Sequence, residues 1–242
     1  IATVMSKLRA PFPYAGGKAK VTPIIWSQLG AVEHYREPFC GSAITLLAAP
    51  SIASTEIIND AAGHITNVWR SIKYAPQEFA RVADWPINEI DLFARHVALV
   101  HAEPALTERL QADPLYYDCM LAPWWVWGAS QWIGSEWCTG RGAWSVEQGR
   151  VVRVRRAGVG AQIPTLRANG SNSGFGSIGI HSGVTRQLPM IAAYEPGAPS
   201  SIRSGVNRVS INLLDWIAQL SERLRNVRVV CGTWDRILTD ST

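Results

Sequence analysis

The spacing of apolar positions changes several times along the chain, and each change predicts an element. Residues 32–39 can run as a strand, after which Cys40-Gly41-Ser42 turns the chain into an apolar helix over 43–49. Pro50 stops that helix, because its ring removes an amide donor and clashes with the preceding turn. A second strand is predicted over 55–58, ending at Asn59-Asp60, and Ile65, Val68, Trp69 and Ile72 then recur at helical spacing. Strands alternating with helices in this way argue for an α/β fold with a parallel sheet.

From Pro76 to about Met120 the pattern is helical, with Leu92, His96, Leu99 and Val100 on one face and charges opposite. Asp113-Pro114 reads as a helix start within this stretch, Asp113 as cap and Pro114 at the first position. The character then changes: Trp124, Trp125, Trp127, Trp132, Trp137 and Trp144 hold six of the eleven tryptophans. So much aromatic surface predicts a small separate core in preference to a base-stacking platform. Residues 158–205 are rich in Gly, Ser and Asn with scattered Arg, the composition of long loops held on a scaffold. Regularity returns at Ser210, an expected N-cap, followed by Leu213, Leu214, Ile217, Leu220 and Leu224 at helical spacing and a strand over 227–231.

Composition narrows the function classes. The chain has 242 residues, 47% of them hydrophobic and 17% charged, enough for one substantial core with an appendage. No run of apolar residues is long enough to span a bilayer, and the start lacks the basic-then-apolar pattern of a secretory signal, so a cytoplasmic protein is expected. Cys40, Cys119, Cys138 and Cys231 stand far apart with no C-x-x-C pair, which suggests reduced thiols and neither a zinc site nor a redox motif. Asn169-Gly170-Ser171 fits a glycosylation acceptor but has no secretion signal to bring it into use. The net charge of +4 is uneven: residues 141–208 carry nine arginines against Glu147 and Glu195, a local +7 that leaves the rest at −3. Such an excess suits a polyanion, since each phosphate neutralised releases counterions; a solvated basic loop is the other reading.

Three short motifs bear on chemistry. Glu37-Pro38-Phe39-Cys40-Gly41-Ser42 falls at the carboxyl end of the first strand, where open α/β sheets place ligands, and Gly41 would let backbone approach one closely. Asp60 comes nineteen residues after Gly41 at the end of the next strand, near the offset at which nucleotide-binding folds hold ribose hydroxyls with a carboxylate. Upstream, Pro13-Tyr14-Ala15-Gly16-Gly17-Lys18 is a flexible turn ending in a cation. It is not a P-loop, because Phe12 stands where the earlier glycine belongs and Ala19 replaces the metal-binding hydroxyl.

In this order the three motifs resemble those of the DNA adenine N6-methyltransferases of the Dam type, including phage and prophage relatives. That family has an aromatic-Ala-Gly-Gly-Lys segment, then Glu-Pro-Phe-x-Gly, then Asn-Asp after the second strand. The likeness is firmest over residues 11–75 and 210–240. It implies a Rossmann-like S-adenosylmethionine-dependent methyltransferase core, with 1–75 as its cofactor-binding part. Residues 76–209 would form a large, partly helical target-recognition insertion, and 210–242 the return to the core. The resemblance further implies that Tyr14, Gly16, Gly17 and Lys18 meet the cofactor, the lysine pairing with its methionine carboxylate. Glu37, Pro38, Phe39 and Gly41 would shape the pocket, and Asp60 would accept hydrogen bonds from the adenosine portion. Double-stranded DNA is the implied partner, gripped by Arg150, Arg153, Arg155, Arg156 and Arg167.

Two departures stand beside that resemblance. Gly232-Thr233-Trp234 occupies the place of the family's Gly-Asp-Trp or Gly-Asp-Phe, which removes a carboxylate expected to receive the cofactor's adenine amine. The Asp-Pro-Pro-Tyr that would hold a flipped adenine's amine and stack on its ring does not occur in residues 1–242. No catalytic residue or metal ligand can therefore be named. Three predicted strands are fewer than such a core needs, so a further C-terminal segment or a second polypeptide is expected to complete the sheet, whose apolar faces would otherwise lie open. The reading from another class is a non-catalytic DNA-binding or regulatory protein on a degenerate methyltransferase fold.

Overall fold

A computed structural model describes residues 8–12, 14, 17–86, 89–132, 137–138, 144–147, 150–153 and 210–238. Helix α1 spans Thr22–Leu29, with proline in its first turn, where the missing amide costs nothing, and Gly30 closing it at φ +62°. Strand β1 covers His34–Glu37, shorter than the predicted 32–39; Pro38 ends it, having no amide to donate to a ladder. Helix α2 is only Ile44–Leu47, since Ala43 takes the left-handed conformation at φ +47° and so stands outside it. Strand β2 runs Thr55–Asp60, two residues past its predicted end.

Helix α3, Gly63–Tyr74, buries the predicted face of Ile65, Val68, Trp69 and Ile72. It gives way at Ala75 because a residue before proline is pushed out of helical geometry, and Pro76 opens α4, Pro76–Ala83. The long α5, Glu89–Ala112, follows, and then α6, Leu121–Gln131. The expected helix start at Asp113 is corrected. α5 ends there, the Asp113 amide donating to the Arg109 carbonyl, and the Asp113 carboxylate receives only the Leu115 amide. Asp118 does the capping instead, one carboxylate oxygen accepting the Met120 and Leu121 amides at 2.9 and 2.8 Å.

An antiparallel hairpin of β3, Trp144–Glu147, and β4, Arg150–Arg153, pairs Glu147 with Arg150 and Trp144 with Arg153. Helix α7, Ser210–Leu224, and strand β5, Val227–Cys231, complete the described chain. β5 pairs with β2 in parallel, giving the sheet order β1-β2-β5 with β2 central. The rows Tyr35-Glu56-Val227 and Glu37-Ile58-Val229 lie on one face, and all six residues are buried. On the other face the row Arg36-Ile57-Arg228 leaves its two arginines exposed with Ile57 half-buried between them. The expectation of open apolar faces is thereby corrected: among the described residues the more open face carries charge.

The tryptophan-rich stretch does not form a core of its own. Trp125 and Val126 belong to the same buried cluster as Phe12, Trp69, Phe79 and Leu220, and Trp124 and Trp137 pack against it. Aromatic surface of that size is better covered by joining the α3–α7 core than by closing on itself. No helix among the described residues is long and apolar enough to cross a membrane.

Candidate cofactor site

Parallel strands deliver their carboxyl ends to one edge of the sheet, and three loops meet there: the turn after Glu37, the Asn59-Asp60 end of β2, and Gly232 after β5. Asn59 joins the outer two. Its side-chain amide donates to the Pro38 carbonyl at 3.0 Å and to the Gly232 carbonyl at 2.9 Å. Asp60 fixes the rest, one carboxylate oxygen accepting the Gly41 amide at 2.9 Å and the other the Ala62 amide at 3.0 Å, while its carbonyl receives the Gly232 amide at 3.0 Å. Gly41 sits at φ +49°, and its carbonyl accepts from the Trp69 indole at 2.8 Å. The turn is thus held from the sheet and from α3 together.

The Tyr14 ring lies directly on Gly41, so close that a Cβ there would stand 2.6 Å from Cε1 of the ring. Lys18, on a 3-10 turn over Lys18–Lys20, reaches the Phe39 carbonyl and stands 3.1 Å from Oε1 of Glu37. Glu37 is buried in β1 and its other oxygen accepts from the Tyr35 hydroxyl at 2.8 Å. Burial pushes the Glu37 carboxyl up, and the Lys18 ammonium opposes that shift. Burial likewise raises Tyr35, with Glu37 adding to it, and raises Tyr14, with Asp60 adding to it. The Cys40 thiol is driven well up by burial and then by Asp60 and Glu37, so it is an inert wall and not a nucleophile.

The structure therefore brings together Tyr14, Gly17, Lys18, Glu37, Pro38, Phe39, Gly41 and Asp60, with Tyr14 and Phe39 exposed at 42% and 63%. Gly16 lies outside the described residues, as do Arg155, Arg156 and Arg167; Arg150 and Arg153 are on β4, away from this sheet in the strand order. Sequence reasoning passed over Asn59, whose two donated bonds splice the loops, and Tyr35. The second had a readable signal, since residues two apart on a strand share a face and Tyr35 must then meet Glu37.

Residues 14–93 match the sequence model of the D12 class N6 adenine-specific DNA methyltransferases. This segment is similar to that family. The match takes in every one of the predicted cofactor-site residues and covers about a third of the chain. It implies a methyltransferase enzyme acting on adenine in DNA, and it does not favour the non-catalytic alternative. No curated protein matches the chain.

Whether these residues suit a sulfonium cofactor can be asked of the site itself. Two carboxylates, Glu37 and Asp60, stand at this edge with the Lys18 ammonium 3.1 Å from Glu37 and the Arg236 guanidinium on the Cys231 carbonyl, so acidic groups for a positive sulfur and a cation for its carboxylate are both at hand. Two exposed rings flank the glycine turn, one of them resting on Gly41, and Oδ1 of buried Asn59 has no hydrogen-bond partner among the described residues. The donor set fits. No group of His, Cys, Asp and Glu among the described residues could hold a metal ion.

Proposed function

We propose that the sheet edge binds S-adenosylmethionine and that the D12-class chain methylates the exocyclic amine of an adenine swung out of duplex DNA. The observation that carries this reading is the splice of three strand ends by Asn59 and Asp60 beneath Tyr14 and Lys18. The cofactor supplies an activated methyl group on sulfur. Lys18, whose side chain is about one-third exposed, is placed to exchange its bond to the Phe39 carbonyl for one to the methionine carboxylate. Tyr14 and Phe39 offer flat apolar walls, and Asp60 keeps the Gly41 turn in the conformation on which the Tyr14 ring rests. Asp60 retains lone pairs beyond the two amides it accepts, which allows it to serve a ribose as well. Arg150 and Arg153, with Arg155, Arg156 and Arg167, supply the phosphate grip.

Titration with S-adenosylhomocysteine tests the site without requiring turnover. The wild-type chain should bind saturably and Lys18→Ala about tenfold or more weaker, the worth of a charge-assisted contact. Labelled methyl transfer to adenine-containing duplex DNA, with Lys18→Ala as control, tests the chemistry. Equal binding by both proteins would remove Lys18 from the site.

A further inference from the structure

Away from the sheet edge, α5 and α6 enclose a guanidinium that has no hydrogen bond. Arg95 is 9% exposed, and its Nη1 is fully buried without a partner among the described residues. What surrounds it is aromatic: Cζ lies 4.3 Å from the Trp127 ring centroid, 5.4 Å from Trp124 and 5.7 Å from Trp85. Burial works against the charge, and only Asp91 favours it. Cation–π contact compensates the faces of the guanidinium but leaves its edge donors unanswered.

The small part of Arg95 that remains accessible lines a cleft of about 390 Å³, together with Trp85, Asp91, Ala94, Ala98 and Trp124. The helical spacing of 91, 94, 95 and 98 puts all four on one side of α5, with two alanines making a flat floor. Trp85 is pinned at both ends, its indole nitrogen donating to Asp91 Oδ2 at 3.3 Å and its carbonyl accepting from Trp127 at 2.8 Å. It nonetheless leaves half of its surface to solvent. A held, exposed indole beside an unanswered Arg and a carboxylate is a surface for a flat ring with a mixed hydrogen-bonding edge.

Chemistry narrows the occupant. Asp91 repels a bare phosphate or carboxylate at the mouth, and a purely apolar group would leave Arg95 unanswered. Adenine presents a donor beside its N7, whereas guanine presents O6 and N7 as adjacent acceptors for Arg and N1–H and N2–H₂ as donors for a carboxylate. The geometry points to an unstacked guanine base held in this cleft, stacked on Trp85 or Trp124, with Arg95 and Asp91 reading its two edges. A base still paired in a duplex cannot enter between the rings, so the source is a single-stranded segment or a free nucleotide.

Calorimetry on the full chain tests this, with guanosine and adenosine monophosphates and with thymidine oligonucleotides holding one guanine or one adenine. Guanine should bind saturably and adenine about tenfold weaker. Trp85→Ala should weaken guanine about tenfold, and Asp91→Asn should narrow the preference over adenine to the part that Arg95 supplies, at unchanged thermal stability. Binding of the oligonucleotide alone would identify the strand as source, and binding of the monophosphate a free nucleotide. Neither Lys18→Ala nor saturating S-adenosylhomocysteine should alter it, which separates this cleft from the sheet-edge site. Absence of saturable guanine binding, equal binding of adenine, or competition by S-adenosylhomocysteine would overturn the proposal.

Discussion

Gly41 shows how much one residue carries. At φ +49° a side chain costs about 1–2 kcal/mol in backbone terms, and a Cβ would also displace the Tyr14 ring. Gly41→Ala should therefore lose both stability and S-adenosylhomocysteine affinity. In a Tyr14→Ala background only the backbone cost should remain, and a thermal-melting cycle that proved additive would mean that the ring does not rest there. His64 makes a pH prediction at the same scale. Its buried ring stacks near Trp125, and burial lowers its pKa from 6.5 to about 4, against the pull of Glu103 and of a backbone contact with Leu99. Below pH 6.5 the unfolded chain gains a proton that the folded chain refuses until about pH 4. Stability present above 6.5 is thus lost as pH falls through that window, by on the order of 3 kcal/mol at most. Urea unfolding across it should show a flatter pH slope for His64→Phe. His96, lowered by burial in the same sense, keeps some slope in the variant.

Between elements, the decisive contact joins α7 to β2. Arg223 pairs with both oxygens of Glu56 at 2.6 and 2.8 Å and donates to the Leu46 carbonyl, all of it buried. Removing one partner leaves the other charge in an apolar interior, so Glu56→Gln or Arg223→Met should cost about 3–5 kcal/mol, whereas Glu56→Leu with Arg223→Met should recover most of it. Denaturant midpoints decide, and an equally unstable double variant would locate the effect elsewhere. This pair was not legible in the sequence: residues 167 apart give no period to read. The strands, α3 and the return of the fold at 210 were legible, because each repeats on a local period. The tryptophan stretch was misread because local aromatic density says nothing about which distant surface will cover it. The hairpin carried only a partial signal, since Trp144-Ser145-Val146-Glu147 alternates whereas Arg150-Val151-Val152-Arg153 does not. The convergence of the three motifs was readable in their places at strand ends, yet their joining by Asn59 depended on strand order, which spacing alone does not give.

At the scale of the molecule, charge is unevenly distributed along the chain. The sheet edge holds Glu37 and Asp60 with Lys18 and Arg236, a near balance of charge, while residues 141–208 carry a local +7 that includes Arg150 and Arg153 of β4. If the arginines grip phosphates, affinity for duplex DNA must fall with salt, the slope reflecting how many phosphates are neutralised. Replacing Arg150 and Arg153 by alanine should then weaken binding to any duplex and lower that slope by about 0.9 for each phosphate no longer neutralised, with S-adenosylhomocysteine binding unchanged. Adding Arg155, Arg156 and Arg167 should lower it further in proportion if each meets a phosphate. A variant that loses affinity for one duplex sequence but keeps the wild-type slope would show the opposite assignment, these arginines reading bases while other residues neutralise the phosphates.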